Sequence, residues 1–520
     1  MEKWNPCMLF QKNCVLQQKK PVAVWGEGPE EAEVCVEIGQ NRAHGRVKDG
    51  RWECVLAPMD AARGLCMRIR CGEEETVIEN VSVGEVWIAG GQSNMAFSLC
   101  YDADWETTKK LSVNPDIHMF NVPRLAYPGH EKDISDSGYW FGEGEDAWQA
   151  FSAPAYAFAR TIQPMLGVPV GIIGCNWGGA SASTWVEETY MQQAPLDVYL
   201  KEYEAATAGR DPEELKRLEE ISYRAEETPA RKALMDEVLY GCSLKEQEEW
   251  KKKPASVLPP SPMGPYSVGR PGGLYHMMLQ KICPCAARGV LWYHGESDAA
   301  HATIYDRLLQ AVIRCFRDSF RQELPFLLVQ LAPFGRWLGC RGEQFPQLRR
   351  CQERASREVE GVYMTSIMDL GMYEDLHPKR KMEVGRRLAL LAMGKIYGGE
   401  LLCECPELLD ACRVAEGVEL IFANTGEGLW EKAAEPEAEE EAQKPSVLTG
   451  PAEMKLGFVV TCREKEIPIA QVVLLKDRIL LRMDSLPKEE CSVAFAEVPY
   501  IRVSIYNSAG LPVKPFHCVI

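Results

Sequence analysis

The segment Gly84-Glu-Val-Trp-Ile-Ala-Gly-Gly-Gln-Ser-Asn-Met95 contains a short apolar run that ends in two glycines and a serine. The run is too short for a buried helix and predicts a buried strand, and the glycines predict a tight turn after it. A hydroxyl on such a turn lies at the end of a sheet and at a helix N-terminus, where backbone N–H groups can stabilise an oxyanion. Ser93 is therefore a candidate nucleophile, although the same pattern alone also fits a turn with a capping serine.

Two further apolar runs are each followed by a polar or glycine-rich turn. The run 168–174 precedes Asn176-Trp177-Gly178-Gly179 and follows a helical pattern over 153–166. The run 289–293 precedes His294-Gly-Glu-Ser-Asp298, after which come a helical pattern over 303–320 and another apolar run at 325–331. Strands that alternate with helices predict an α/β fold in which helices cover both faces of a parallel sheet.

The chain is long enough for several domains, because it has 520 residues and a domain takes roughly 150. Alternating apolar and polar positions with frequent turn signals predict an N-terminal β domain at 1–82 and a C-terminal β domain at 401–520. Between them we expect an α/β domain at 83–400. Its charged, leucine-spaced stretch at about 196–253 predicts an inserted helical hairpin, and the acidic run at about 431–445 predicts a solvated loop.

Composition excludes several classes of function. The net charge of −17 repels nucleic acid and anionic membrane surfaces, so neither is expected as a partner. No stretch reaches the ~20 apolar residues of a membrane span, and the start of the sequence lacks a secretory signal, so we expect a cytoplasmic protein. The 20 cysteines are dispersed, without paired or metal-ligand spacings, which predicts reduced thiols and no metal site.

A serine nucleophile needs a general base, and His377 is the strongest candidate. It lies in Glu374-Asp375-Leu376-His377-Pro378, where a turn can fold a carboxylate back onto the imidazole. A surface turn with a solvated histidine is the alternative for this motif taken alone. The pair Gly178-Gly179 would let backbone N–H groups approach a substrate oxygen. His294 is open to two interpretations, a donor to developing negative charge or a buried core residue.

Four blocks in this order resemble the SGNH (GDSL-type) hydrolases, and within them the sialate O-acetylesterase group and its carbohydrate acetylesterase relatives. The blocks are GEVWIAGGQSNM, GIIGCNWGGASASTW, GVLWYHGESD and DLHPKRKMEVGRRLAL. The resemblance implies a flavodoxin-like α/β/α core flanked by β-sandwich-type N- and C-terminal regions. It also implies a serine esterase that releases acetate from O-acetylated sugars through an acetyl-serine intermediate, without metal or cofactor. The expected partner is a small-molecule or oligosaccharide substrate that carries O-acetyl groups.

The resemblance also implies roles for single residues. Ser93 is the nucleophile and His377 the base, while the acid stays open: the widespread D-x-x-H spacing matches Glu374, and the D-I-H-P pattern of the group matches Asp375. The expected oxyanion hole combines the N–H groups of Ser93 and Gly179 with His294, which stands where the group has glutamine. The expected substrate contacts are Gln92, Asn94, Trp177 and Glu296.

Two other functions stay open on the sequence. A lipase or thioesterase would share the same blocks but would prefer long acyl chains. A carbohydrate-binding protein with a decayed site is suggested by His294 and by Ala180, which stands where the group has threonine. The sequence is compatible with several acetylated sugars as substrates and with a homo-oligomeric assembly. A sialate carboxylate would need a cation, for which Arg124, Arg270 and Arg336 are candidates.

Overall fold

A parallel sheet forms the centre of the computed structural model, which describes residues 4–129, 137–259, 261–432 and 456–520. From edge to edge its strands are Trp140–Gly142, Ile117–Asn121, Val170–Asn176, Glu74–Gly91, Gly289–Tyr293, Phe326–Val329 and Val362–Thr365. All neighbours pair in parallel except the first two, which are antiparallel. Strand Glu74–Gly91, which precedes Ser93, is the central strand of this order. Its residues Val86–Ala89 are fully buried, as expected for a strand that is covered on both faces of the sheet.

The strands and helices of this sheet follow the sequence predictions closely. The predicted runs 289–293 and 325–331 correspond to Gly289–Tyr293 and Phe326–Val329, and the predicted helix 153–166 is Ala153–Leu166. Two helix pairs pack with the sheet, Ala153–Leu166 with Lys381–Lys395 and Tyr305–Phe320 with Phe345–Glu358. The shorter helices are Ser93–Ala96, Trp105–Thr108 and Gln280–Ile282. The α/β prediction is confirmed.

Part of the N-terminal region continues into the same sheet, whereas Asn5–Pro6, Val22–Glu27 and Arg51–Leu56 form a separate three-stranded sheet. Strand Glu74–Gly91 runs unbroken across the predicted boundary at residue 82, and its first half pairs antiparallel with Ala62–Cys71. The buried apolar residues of this region join those of the parallel sheet in one cluster. The other strands of this region are Asn5–Pro6, Val15–Gln17, Val22–Glu27, Glu33–Ile38, Asn41–Arg46 and Arg51–Leu56. Neither strand Glu74–Gly91 nor the buried cluster is interrupted at the predicted domain boundary at residue 82.

The predicted hairpin at 196–253 is wrong in its number of helices. This stretch, which the structure describes in full, forms four helices: Asp197–Thr207, Pro212–Glu226, Pro229–Tyr240 and Leu244–Lys252. Pro212 and Pro229 each occupy a first helical position, where the missing N–H costs nothing. Ser243 starts the last helix with a capping box to Glu246. Because of these start signals the stretch forms four helices, whereas its leucine spacing alone predicted the two helices of a hairpin.

The C-terminal region has its own buried cluster. One sheet contains Glu407–Val414, Gly417–Ala423, Arg478–Arg482 and Gln471–Leu474, and another contains Lys465–Ile467, Phe458–Cys462, Cys491–Phe495 and Phe516–Val519. Both sheets contribute buried apolar residues to this cluster. The short strands Trp430–Glu431 and Ile505–Tyr506 pair beside them. The predicted acidic loop at 431–445 lies outside the described residues from position 433 onward.

Candidate active site

Three adjacent parallel strands end at the same edge of the sheet and bring three of the sequence blocks together there. Ser93 begins the short helix Ser93–Ala96, two residues after strand Glu74–Gly91. Gly91 has a φ of +138°, and a Cβ at this position would lie 2.2 Å from the carbonyl oxygen of Tyr293 on the neighbouring strand. Only glycine can make that turn, because any side chain there would collide with the neighbouring backbone. The close approach places the Ser93 hydroxyl beside the ends of both flanking strands.

The Ser93 hydroxyl contacts the imidazole of His377, which lies 284 residues later in the chain. The distance from Ser93 Oγ to His377 Nε2 is 2.9 Å. The imidazole is 3% exposed, and it packs at right angles to Trp337 and nearly parallel to Phe97. A nucleophile and a base within hydrogen-bond distance form the arrangement that nucleophilic catalysis requires. The structure thus brings together the two residues on which the sequence hypothesis depends.

Of the two carboxylates left open by the sequence, only Asp375 borders the imidazole. Its Oδ1 lies 3.5 Å from His377 Nδ1 and accepts the backbone N–H of His377 at 2.8 Å. Its Oδ2 lies 2.8 Å from Lys379 Nζ. Glu374 instead accepts the backbone N–H of Leu244, the first residue of helix Leu244–Lys252, at 3.0 Å. The geometry therefore supports Asp375 as the acid and argues against Glu374.

Neighbouring groups favour the ionised form of Asp375, and burial together with two lysines favours the neutral form of His377. Burial alone would raise the pKa of Asp375, but the adjacent His377 and the charge of Lys379 hold that pKa below its ordinary value. Burial lowers the pKa of His377, the adjacent Asp375 opposes this, and the charges of Lys381 and Lys379 lower it further. A neutral imidazole can accept a proton, so His377 is suited to act as a base near neutral pH.

Backbone N–H groups at this edge are available to bind an oxyanion. Within the described part of the chain, the N–H groups of Ser93, Gly178 and Gly179 have no hydrogen-bond acceptor. Gly178 lies directly against the nucleophile, since a Cβ built on it would be 3.4 Å from Ser93 Cβ. Gly179 is exposed, with a φ of +74° and open space where its Cβ would be. The sequence singled out Gly179, and Gly178 is the closer of the two to Ser93 Cβ.

The oxyanion role predicted for His294 is not supported by its contacts. Its Nε2–H donates to the carbonyl oxygen of Ala180 at 2.8 Å, and its Nδ1 accepts from the hydroxyl of Tyr305 at 3.1 Å. The side chain is fully buried and stacks on Trp292. Because both ring nitrogens are used inside the protein, no imidazole N–H remains for a substrate. His294 instead ties the end of its strand to the second block, which corresponds to the buried-residue interpretation.

Gln92, Asn94 and Glu296, predicted to contact substrate, are occupied mainly by contacts within the protein. Gln92 is 1% exposed, and its Oε1 accepts the backbone N–H groups of Gly295 and Ser297. The amide of Asn94 donates to Glu296 Oε1 and to the carbonyl of Leu376. These contacts hold the nucleophile turn against the third and fourth blocks. Gln92 and Asn94 therefore position other groups, and they are too buried to reach a substrate.

Glu296 and Trp177 are less enclosed than these two residues. The side chain of Glu296 is half-buried, and its Oε2 is shielded from solvent and has no hydrogen-bond partner within the described residues. Trp177 is half-buried and its backbone N–H donates to Gly91 at 3.1 Å, which fixes the second block beside the nucleophile turn. Of the four predicted substrate contacts, these two remain.

Three residues near the site were not predicted from the sequence. Lys381 is fully buried, and its Nζ donates to Asn94 Oδ1 at 2.5 Å. Trp337 contacts the His377 ring, and the Gln247 side chain donates to the backbone carbonyl of Glu374. Only Lys381 had a nearby signal, because it lies in the last block, four residues after His377. The other two come from distant parts of the chain and carry no local pattern.

The described part of the chain contains no group of three or more His, Cys, Asp or Glu side chains arranged to hold a metal ion. No helix in those same ranges combines the length and the apolar character needed to span a bilayer. All 20 cysteines lie in the described residues and none forms a disulfide.

Comparison with known proteins agrees with the sequence resemblance. Residues 245–393 match the family model described as "Carbohydrate esterase, sialic acid-specific acetylesterase". Curated proteins named sialate O-acetylesterase are 23% identical over 429 residues in Pongo abelii and 22% identical over 435 residues in Homo sapiens. Each alignment covers 75% of this chain and 70% of the relative. A crystal structure of a carbohydrate acetylesterase from Xanthomonas citri has a TM-score of 0.73 at 24% identity, with 99% of both chains covered.

The family match and the curated relatives confirm the resemblance to the sialate O-acetylesterase group. They also confirm the prediction of a carboxylic ester hydrolase. The crystal structure from Xanthomonas citri shows that the fold is shared along the whole chain.

Proposed function

We propose that this protein is a carbohydrate O-acetylesterase that releases acetate through an acetyl-serine intermediate, with an O-acetylated sialate as the first substrate to test. The observation that carries the proposal is the 2.9 Å contact between Ser93 Oγ and His377 Nε2 at the carboxyl edge of the sheet. The names of the relatives, sialate O-acetylesterase and carbohydrate acetylesterase, support the choice of ester. No metal or cofactor is required by this chemistry.

The mechanism follows from the contacts of the site. His377 Nε2 takes the Ser93 proton as Oγ attacks the acetyl carbonyl, and the N–H groups of Ser93 and Gly178 or Gly179 stabilise the tetrahedral anion. The imidazolium beside Asp375 then gives its proton to the sugar oxygen as the bond between that oxygen and the acetyl carbon breaks, and the acetyl group stays on Oγ. Water, deprotonated by His377, attacks the acetyl-enzyme and releases acetate, which restores the Ser93 hydroxyl.

Ser93→Ala removes the nucleophile, so the rate of acetate release should fall to background. In serine hydrolases this loss amounts to roughly a millionfold in kcat. Acetate is measured enzymatically from an acetylated sialic acid, an acetylated xylan oligomer and p-nitrophenyl acetate. Ser98→Ala is the matched control, because the Ser98 hydroxyl lies in the same segment and bonds the carbonyl of Ala150 rather than His377. Unchanged turnover by the Ser93 variant would reject the proposal.

The two remaining alternatives are tested with the same wild-type protein. A lipase or thioesterase would hydrolyse octanoate esters faster than acetate esters, whereas an acetylesterase has the opposite order. A carbohydrate-binding protein with a decayed site would bind acetylated sugars without acetate release. The intact contact between Ser93 and His377 argues against decay, because His294 and Ala180 lie outside this pair.

A sialate carboxylate would find a cation near the site. The side chain of Arg336 is exposed and has no hydrogen bond or ion pair within the described residues, and it lies next to Trp337, which contacts His377. Arg124 bonds Asn176 at the end of strand Val170–Asn176. The side chain of Arg270 donates to the backbone of Ala126 and Ser267. Arg336 is thus the strongest of the three candidates.

Two broader features belong to the same proposal. We interpret the parallel sheet as the flavodoxin-like core of the SGNH hydrolases, with β-sandwich regions on either side. The common core beneath the two four-stranded C-terminal sheets supports this interpretation, because sheets packed face to face define a sandwich. For the cellular location we propose the cytoplasm, supported by the dispersed positions of the cysteines.

A further inference from the structure

The last two of the four consecutive helices, Pro229–Tyr240 and Leu244–Lys252, lie against the turn that carries Asp375 and His377. The backbone N–H of Leu244 donates to Glu374 at 3.0 Å. Lys379 Nζ donates to the carbonyl oxygen of Leu239 at 2.6 Å. Glu374 and Lys379, on the two sides of the Asp375–His377 pair, are therefore both bonded to these helices.

The side chain of Gln247 connects this turn to a second element of the site. It is 2% exposed, and its Nε2 donates to the carbonyl oxygen of Glu374 at 2.8 Å and to that of Cys242 at 3.1 Å. Its Oε1 accepts the backbone N–H of Leu338 at 3.0 Å. One buried amide thus uses both N–H donors and its oxygen to join three backbone segments, and a buried amide loses free energy if these bonds are not made.

The second element is the hairpin of strands Arg336–Trp337 and Cys340–Arg341. Trp337 packs at right angles to the His377 ring, with 4.9 Å between ring centroids. Leu338 follows it with a φ of +50°, a conformation that a leucine adopts only when its surroundings impose it. Gln247 holds the Leu338 backbone, and Trp337 and Leu338 pack on the buried cluster of Leu234, Val238 and Trp250 from the two helices.

The imidazole of His377 depends on these supports, because its own acid partner holds it loosely. Its Nδ1 lies 3.5 Å from Asp375 and makes no well-aligned hydrogen bond within the described residues. The direction of Nε2 toward Ser93 is therefore set by the backbone of the turn and by the flanking rings of Trp337 and Phe97. A displacement of about 1 Å in such a pair can cost on the order of 100-fold in rate.

We infer that Gln247 is a positioning residue for the proposed esterase: it joins the Asp375–His377 turn to the Trp337 hairpin and so aims the imidazole at Ser93. The inference rests on the proposed function. It assigns the helices Pro229–Tyr240 and Leu244–Lys252 to the structure of the active site. Gln247 does not touch the reacting atoms, and it acts through the two backbone segments that it bonds.

Two substitutions of Gln247 test this role. Gln247→Ala removes all three bonds, and Gln247→Glu keeps an acceptor for Leu338 but loses both N–H donors. Lys245→Ala is the matched control, because Lys245 lies on the same helix and its side chain is exposed. For each variant, kcat and KM are measured on p-nitrophenyl acetate well below the unfolding temperature. The pKa of His377 is measured by histidine NMR, with the resonance assigned from His377→Gln.

We expect Gln247→Ala to lower kcat about tenfold or more with less than a threefold change in KM. The pKa of His377 should rise toward its ordinary value, because a loosened turn admits water to a buried imidazole. Gln247→Glu should show the same loss of kcat, because its carboxylate has no N–H group for the carbonyl oxygens of Glu374 and Cys242. Lys245→Ala should match the wild type. The glutamate variant decides the question if the alanine variant does not fold.

The outcomes separate this inference from the function on which it rests. If Ser93→Ala is inactive while the Gln247 variants keep wild-type kcat or an unchanged His377 pKa, the positioning role is wrong and the function stands. If Ser93→Ala keeps its activity, the proposed function fails. The NMR measurement needs no substrate, so it still reports whether Gln247 controls the imidazole.

Discussion

Lys381 places a positive charge in the buried space behind the nucleophile turn. Its Nζ bonds Asn94 and lies over the rings of Phe97 and Tyr293. Burial lowers the pKa of Lys381 to about 7, and Glu296 opposes that shift. The amine therefore carries its charge mainly below neutral pH, where it resists protonation of the nearby His377.

Lys381→Met should move the acid limb of the kcat/KM profile to higher pH. Two positive neighbours, Lys381 and Lys379, lower the pKa of His377 and Asp375 raises it, so removal of Lys381 raises that pKa. At pH 6 more of the base is then protonated, and activity falls relative to pH 8. Lys395→Met, near the end of the same helix, is the control. A pH profile measured on p-nitrophenyl acetate that stays in place would contradict this charge effect.

At the scale of residues, the sequence predicts the site residues that belong to a local motif. Asp375 and His377 were found as neighbours in one motif, and Ser93 was found from the glycine turn before it. Lys381 and Gln247 act through contacts made only after distant segments pack, so no spacing in the chain reveals them. His294 was assigned from the glutamine of related sequences, but its imidazole N–H is used by Ala180.

The turn at Gly178-Gly179 requires glycine at its two positions for different physical reasons, steric at one and conformational at the other. Gly178 has ordinary backbone geometry and lies on the nucleophile, where an added Cβ would meet Ser93 Cβ at 3.4 Å. Gly179 has open space but a φ of +74°, which a residue with a side chain rarely adopts. Alanine at each position therefore separates a steric effect from a conformational one.

We expect Gly178→Ala to lower kcat/KM for acetate esters about tenfold with little change in the unfolding temperature, because the methyl group fills space next to Ser93. Gly179→Ala should instead lower the free energy of unfolding by about 1 kcal/mol, the cost of a left-handed conformation for alanine. Steady-state kinetics and urea unfolding measure the two effects. The reverse pattern would show that Gly179, as first predicted, lies closer to the reacting oxygen.

Element bounds in the parallel sheet were predictable because its strands and helices have simple patterns. Gly289–Tyr293 is a continuous apolar run, and Ala153–Leu166 ends at Gly167, a common helix stop. The stretch 196–253 was harder, because its leucine spacing is compatible with two long helices or four short ones. Pro212 and Pro229 are the start signals that the hairpin prediction left unused.

Within the described residues, two main buried clusters meet near the turn after strand Val362–Thr365. Ile367 and Leu370 belong to the cluster beneath the parallel sheet, whereas Met368 belongs to that of the C-terminal sheets. The C-terminal core therefore includes Met368, which lies well before position 401, where the pattern of alternating apolar and polar residues begins again. Composition along the chain could not show this, because side chains of the same short turn belong to different cores.

A buried ion pair joins the two parts of the molecule at this turn. Both oxygens of Asp369 accept from the Arg387 guanidinium at 2.6 Å, and the side chains are 7% and 2% exposed. The Asp369 side chain also accepts from the hydroxyl of Tyr506, and its backbone carbonyl accepts from Arg502. Arg387 lies on helix Lys381–Lys395, which begins four residues after His377. The pair therefore links the C-terminal region to the helix behind the site.

Asp369→Ala should lower the free energy of unfolding by about 3 kcal/mol, because it leaves the Arg387 guanidinium buried without its main counter-charge. Adding Arg387→Met should recover part of the loss, since an apolar side chain in the same place needs no partner. Urea unfolding followed by tryptophan fluorescence measures both. Arg350→Ala is the control: its ion pair with Glu497 also reaches the C-terminal region, but Arg350 is 49% exposed and should contribute less than about 1 kcal/mol. Equal losses in Asp369→Ala and Arg350→Ala would mean that burial does not strengthen the link.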